Sequence, residues 1–125
     1  MERLPKSINR ETAEHYVWGG VCDGWRLLDR SDLSVIEERV PVGGAEVAHV
    51  HGRARQFFYV LAGNARLEFE REAVELGPGQ GLEVASGVAH RFVNAGDGDV
   101  RFLVISTPTT RGDRTDLAGW LETGG

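Results

Sequence analysis

The chain has 125 residues, 19 acidic against 14 basic side chains, and a formal net charge of −5. That is the length of one domain, 1–125, able to bury a core without disulfides, and its single cysteine, Cys22, can close no internal bridge and suits a reducing compartment. The acidic balance lacks the basic footprint of a nucleic-acid binder, no apolar run reaches the roughly 18 residues of a membrane helix, and residues 1–15 carry no secretory signal, so the sequence reads as a soluble, cytoplasmic protein with no nucleic-acid or membrane partner.

Glycine stands at 17 residues, about twice its ordinary usage of about 7%. Spread between β-rich segments, it marks many turns. Residues 1–15 read as an N-terminal arm, with a short helical turn over 10–16. The stretch 17–28 carries two turn signals, Gly19-Gly20 and Asp23-Gly24, the latter of hairpin type. Residues 33–40 predict a strand with Glu37 and Arg39 on one face and Glu38 and Val40 on the other; Arg39 reads as a surface ion-pair residue. Pro41 ends it. Residues 45–51 and 56–62 predict two more strands.

Ala65, Leu67 and Phe69 alternate with Arg66, Glu68 and Glu70, the period of a half-buried strand over 65–70. The charges of 66–72 read as its solvated face. Further strands are predicted over 73–76, 82–85, 90–93 and 100–106, and a helical turn over 116–121. With no helix long enough for parallel crossovers, the class is all-β, a sandwich or barrel. Gly77 to Gly81 lies between strands and is no phosphate loop. Arg111-Gly112-Asp113 reads as a chance tripeptide, His15 as solvated, and Cys22 as a buried, inert thiol. No nucleophilic triad, general acid or general base stands out.

His49 and His51, one residue apart, share a strand face and can grip one metal ion; alone, they also fit an exposed face. Gln56 and His90 are unremarkable singly. The spacing of the whole set is more informative. Gly43 is followed by five residues, His49-Val50-His51, four residues, Gln56, six residues and Gly63. Gly79 is followed by five residues, Ala85-Ser86-Gly87, two residues, His90, three residues and Asn94. These blocks, spanning 43–94, resemble the two signature motifs of the cupin superfamily and match eight of the ten defining positions. Gln56 stands where the family has glutamate, and Ala85 where it has proline.

The resemblance implies a double-stranded β-helix, a small jelly-roll barrel, with a divalent transition metal (iron, zinc, nickel, manganese or copper) held inside by His49, His51, His90 and Gln56. Strand parity then sends Val47, Phe58, Val60 and Phe92 toward the lumen, as a small-molecule pocket or as plain core, while Phe57, Tyr59 and Leu61 face away. The function implied is a metal-dependent enzyme, dioxygenase- or isomerase-like, acting on a small organic molecule. The alternative is a non-catalytic binding or sensing barrel. The resemblance also implies a homodimer, with the segments around Trp18 and Trp25 available for exchange or apolar contact.

Overall fold

The computed structural model describes residues 4–117. Eleven strands run in chain order: β1 (Glu14–Trp18), β2 (Cys22–Asp29), β3 (Ser34–Val40), β4 (His49–Val50), β5 (Arg55–Ala62), β6 (Ala65–Glu68), β7 (Ala73–Leu76), β8 (Gly81–Val84), β9 (Arg91–Asn94), β10 (Val100–Thr107) and β11 (Thr115–Asp116). They form a six-stranded sheet in the order β1-β2-β3-β10-β5-β8, a three-stranded sheet β7-β6-β9, and the pair β11-β4. All pairings are antiparallel. The architecture is the double-stranded β-helix that the resemblance of the two motifs implied. The described residues contain no helix, so none is long and apolar enough to cross a membrane.

Period-two burial builds the core. In β5, Gln56, Phe58 and Val60 are buried while Arg55, Phe57 and Tyr59 are exposed, and β10 buries Val100, Phe102, Val104 and Ser106. These inner residues meet Ala65, Leu67, Leu76 and Phe92 of the three-stranded sheet. Phe92 stacks on Phe102 with ring centroids 3.8 Å apart and on Phe58 at 5.8 Å. Fully burying one such ring contributes about 1.5–3 kcal/mol. Cys22 belongs to this core, and burial pushes its thiol above the ordinary range, which makes it inert.

Several local expectations are corrected. Asn9 caps a single turn by accepting N–H bonds from Glu11 and Thr12, after which β1 replaces the predicted helical turn. The hairpin turn falls at Gly19 and Gly20, both at positive φ, while Asp23-Gly24 lies inside β2. A Cβ on Gly24 would collide with the Tyr16 ring, so glycine is there to admit a neighbour and not to turn the chain. Segment 45–51 is regular only at His49–Val50, with one isolated bridge at Ala45. Thr115 and Asp116 pair as β11 with β4 instead of starting a helical turn; the rest of 116–121 beyond Leu117 lies outside the described residues. Trp18 packs against the core, and β1 pairs with β2 of its own chain.

Gly63 ends β5 with φ +84, and a Cβ there would meet the Asp99 carbonyl oxygen and lie 2.8 Å from Val100 Cα. Gly63→Ala therefore combines left-handed strain with overpacking and is expected to cost about 2–4 kcal/mol in urea unfolding. A loss below about 0.5 kcal/mol, within the range of an ordinary surface substitution, contradicts this packing.

Candidate metal centre

Three strand ends bring the histidines together. His49 opens β4, and β11 holds that strand through the pairing of Asp116 with His49. His90 stands just before β9 and exchanges two backbone hydrogen bonds with His49, each 3.0 Å. His51 follows β4, and its carbonyl accepts the Gly87 N–H at 2.7 Å, which ties the two motif segments together. Ligand-capable nitrogens of His49, His51 and His90 lie within 4.8 Å of one another. All three side chains are buried, at 1%, 5% and 1% exposure.

Their protonation follows from their partners. Nδ1 of His49 bonds the Val47 carbonyl at 2.8 Å, Nδ1 of His51 that of Asp113 at 2.7 Å, and Nδ1 of His90 that of Val88 at 2.9 Å. A carbonyl only accepts, so each Nδ1 carries the hydrogen, and Nε2 is the atom of each ring that can offer a lone pair. Burial pushes His49 and His90 down to about 4, which keeps them neutral at pH 7. Nε2 of His90 is buried without any hydrogen-bond partner.

Gln56, the second residue of β5, donates from Nε2 to Ser106 Oγ at 3.1 Å, and its buried Oε1 also lacks a partner. Unpaired buried acceptors cost about 1–3 kcal/mol each. Three inward imidazole nitrogens and one orphaned amide oxygen are what a divalent transition metal takes as ligands, so this donor set fits such an ion.

Asp113 braces the site. Its carboxylate accepts N–H bonds from Gly52, Arg53 and Ala54, the residues directly after His51, at 3.0, 3.0 and 2.9 Å. The bond from Ala54, then those from Arg53 and Gly52, hold its carboxyl below the usual range. The triplet 111–113, read from sequence as chance, thus contains the residue that fixes the His51 ring.

A cavity of about 190 Å³ opens on His49, His51 and Gln56. A larger open groove of about 770 Å³ along Phe69, Val74, Leu82 and Val88 touches none of the histidines; the chemistry belongs to the smaller space. Of the four residues that parity sent to the pocket, Phe58 lines it. Val60 and Phe92 are wholly buried in the core and leave the cavity wall to others. Val47 is 53% exposed, because parity holds only within a regular strand and 45–48 is not one. Arg39 forms ion pairs with Asp23 at 2.7 Å and Asp99 at 3.2 Å, as a surface residue does. His15 is half-exposed and bonds Asp23 at 2.7 Å.

Acid–base groups, unseen in the sequence, are present in the wall. Glu38, Glu46, Tyr16 and Arg114 all line the cavity. The Tyr16 hydroxyl donates to Glu38 Oε2 at 3.0 Å. Burial, then the neighbouring Glu46 charge, pushes the Glu38 carboxyl up to about 8, against the pull of Tyr16, Arg114 and Arg26. Burial likewise raises Glu46, whose Oε1 accepts the Phe92 N–H at 3.0 Å. The available signal was the parity of β3, which puts Glu38 on the face of the core residue Val40.

Residues 36–106 match the cupin domain family model. The chain belongs to the cupin family. This cupin is 25% identical over 84 residues to the uncharacterized protein MJ1618 of Methanocaldococcus jannaschii, covering 67% of each chain. Among solved structures it resembles KdgF from Halomonas sp. (TM-score 0.76, 19% identity, 85% of this chain and 96% of that one). It also resembles a cupin-superfamily sugar phosphate isomerase from Silicibacter pomeroyi (TM-score 0.72, 25% identity, 84% and 76%).

The buried imidazoles give the metal-free cupin a defined acid response. Unfolded, His49 and His90 take protons near 6.5; folded, they wait until about 4. Between those values the unfolded chain binds more protons, so their contribution is present above pH 6.5 and is lost as pH falls toward 4. Urea midpoints measured on the metal-free protein from pH 7 to 4.5 are expected to fall more steeply for wild type than for the His49→Gln/His90→Gln double variant. Parallel curves contradict neutral burial of these rings.

Proposed function

We propose that this cupin is a metal-dependent enzyme acting on a small organic molecule held in the cavity beside the histidines. The observation that carries this reading is the convergence of His49, His51 and His90, whose ligand-capable nitrogens lie within 4.8 Å of one another, with His49, His51 and Gln56 opening on a cavity of about 190 Å³ whose wall also holds carboxylates. His49, His51, His90 and the Gln56 amide oxygen are the proposed ligands of iron, zinc, nickel, manganese or copper. A divalent metal there supplies a Lewis acid. With an amide in place of a carboxylate ligand, its full positive charge faces the cavity and favours an anionic or polarised oxygen on the substrate. Arg114 adds to that preference, and the volume, below the 300–1,000 Å³ of drug-sized sites, selects a small molecule.

Within this reading the isomerase-like branch is favoured, because Glu38, Glu46 and Tyr16 supply proton-handling groups. The likeness to a 25% identical sugar phosphate isomerase supports the same branch. The neutral three-imidazole set favours a second reading, an iron-dependent dioxygenase. Oxygen uptake by the iron-loaded protein against turnover by the zinc-loaded protein without oxygen separates the two. Ligand-dependent stabilisation with no turnover in either form supports a binding barrel instead. The outer face of the six-stranded sheet carries Phe57 and Tyr59, both exposed and stacked at 6.5 Å, which supports a homodimer.

Elemental analysis of the purified protein tests the metal reading. A near-stoichiometric transition metal is expected in wild type and its loss in folded His49→Ala, His51→Ala and His90→Ala. Gln56→Ala is expected to weaken zinc affinity about 10–100-fold, the range set by altered metal-site partners. Wild type that takes up no metal on reconstitution contradicts the reading; unchanged affinity in Gln56→Ala removes Gln56 from the ligand set.

A further inference from the structure

Tyr16, Gly24 and Glu38 occupy one register level on three neighbouring strands. Tyr16 pairs with Gly24 across β1 and β2, and Gly24 pairs with Glu38 across β2 and β3. Directly paired residues project from the same face of a sheet, so a side chain at 24 would stand between Tyr16 and Glu38. Gly24 leaves that place open. The Tyr16 ring fills it, and a Cβ on Gly24 would lie 2.6 Å from ring carbon Cε1 and closer still to Cζ. The hydroxyl thereby reaches a carboxylate two strands away. Arg26 closes the arrangement, with its guanidinium 4.3 Å from the ring centroid. A glycine inside a strand costs about 0.5–1 kcal/mol relative to alanine. Here that cost is offset by the fixed position of one carboxylate in the cavity wall.

The carboxylate is held at one oxygen only. Oε2 accepts the Tyr16 hydroxyl, and among the described residues no protein group bonds Oε1. An outer-face glutamate on the same strand behaves differently: Glu37 is taken up by ion pairs with Arg10 and Arg101. The groups that face Glu38 are Tyr16 from β1, Arg26 from β2, and Glu46 and Arg114 around the cavity. Their combined effect leaves the carboxyl poised near neutrality, where a proton can be both accepted and returned.

We propose that Glu38 is the proton-transferring residue of this cavity, positioned by Tyr16 across Gly24, and that its substrate is a small carbonyl compound bearing a C–H bond beside the carbonyl. The proposal rests on the metal-dependent reading above and gives it a substrate class. In the step, Oε1 of ionised Glu38 takes the proton from the carbon next to the carbonyl. The C–H electron pair forms a carbon–carbon double bond, and the carbonyl π pair moves onto its oxygen. The proton then returns from Glu38 to the same carbon or, after enediol rearrangement in a hydroxycarbonyl, to the neighbouring one. Nothing is oxidised or reduced overall, so no co-reactant is needed. Tyr16 is a positioning residue: it fixes Oε2 and leaves Oε1 to face the substrate.

The test uses zinc-loaded protein in D₂O with pyruvate, acetylacetone and dihydroxyacetone as probes, and proton NMR to follow exchange of the C–H beside the carbonyl. Acetohydroxamate, an oxygen-chelating analogue whose C–H beside the carbonyl is much less acidic than that of the probes, is titrated calorimetrically in parallel. Wild type is expected to exchange at least one probe faster than protein-free zinc buffer. Glu38→Gln is expected to lose about 100-fold or more of that rate, with zinc content and acetohydroxamate affinity unchanged. Tyr16→Phe and Gly24→Ala are expected to lose less, and added formate to restore part of the rate to Glu38→Ala. The proposal is overturned by equal exchange in Glu38→Gln, by no exchange of any probe above buffer in zinc-loaded wild type, or by parallel loss of exchange and acetohydroxamate binding in a folded, zinc-bound Glu38→Gln. Failure of wild type to hold zinc is a separate result and overturns the metal reading itself.

Discussion

The bond from each imidazole Nδ1–H to a backbone carbonyl is the constraint on which the site depends. It fixes the tautomer, aims three lone pairs inward, and makes burial of three histidines tolerable. The carbonyls come from Val47, Val88 and Asp113. Two of them belong to the same local pattern. Val47-Ala48-His49 and Val88-Ala89-His90 are identical triplets, each histidine bonding the carbonyl two residues before it, and the two face each other through the His49–His90 bridge. The valines are exposed because their backbone is turned to serve the histidines; regular pairing at 47 and 88 would commit those carbonyls elsewhere. The broken strands around the site are thus part of its construction.

The rest of the barrel divides the cavity into two chemistries. One part of its wall presents neutral nitrogen and amide oxygen, which suit a cation. Another presents Glu38, Glu46 and Tyr16, whose charged forms burial disfavours. Arg114 lies among them. A site with a fixed cation and a poised carboxylate can withdraw electrons at one atom of a small molecule and move a proton at another. The aromatic core beneath, Phe58, Phe92 and Phe102, fixes the floor on which these groups stand.

What was legible in the sequence was what local spacing controls. The family resemblance carried by the histidine and glycine intervals implied the barrel and the three imidazoles, and strand parity counted from Gln56 sent Phe58 inward. Parity also separated Glu38 from Glu37, although only the core position of Val40 tells which face is inside. What was not legible depends on residues distant in sequence. Gly24 beside Asp23 has the composition of a turn, and only the Tyr16 ring shows why a strand needs it. Asp113 bonds residues about sixty positions earlier, so nothing near it announces that role. Val47 misled because two-residue periodicity presumes a paired strand, which that segment gives up to orient His49.

The proposed metal site is formed by Nε2 of His49, His51 and His90 together. A crystal structure of the zinc-loaded protein, with anomalous maps recorded on both sides of the zinc absorption edge, tests it most directly. One buried anomalous peak is expected within bonding distance of all three Nε2 atoms, with each Nδ1 still on its carbonyl. A peak bound through Nδ1, or zinc held elsewhere with these three rings unengaged, would contradict it.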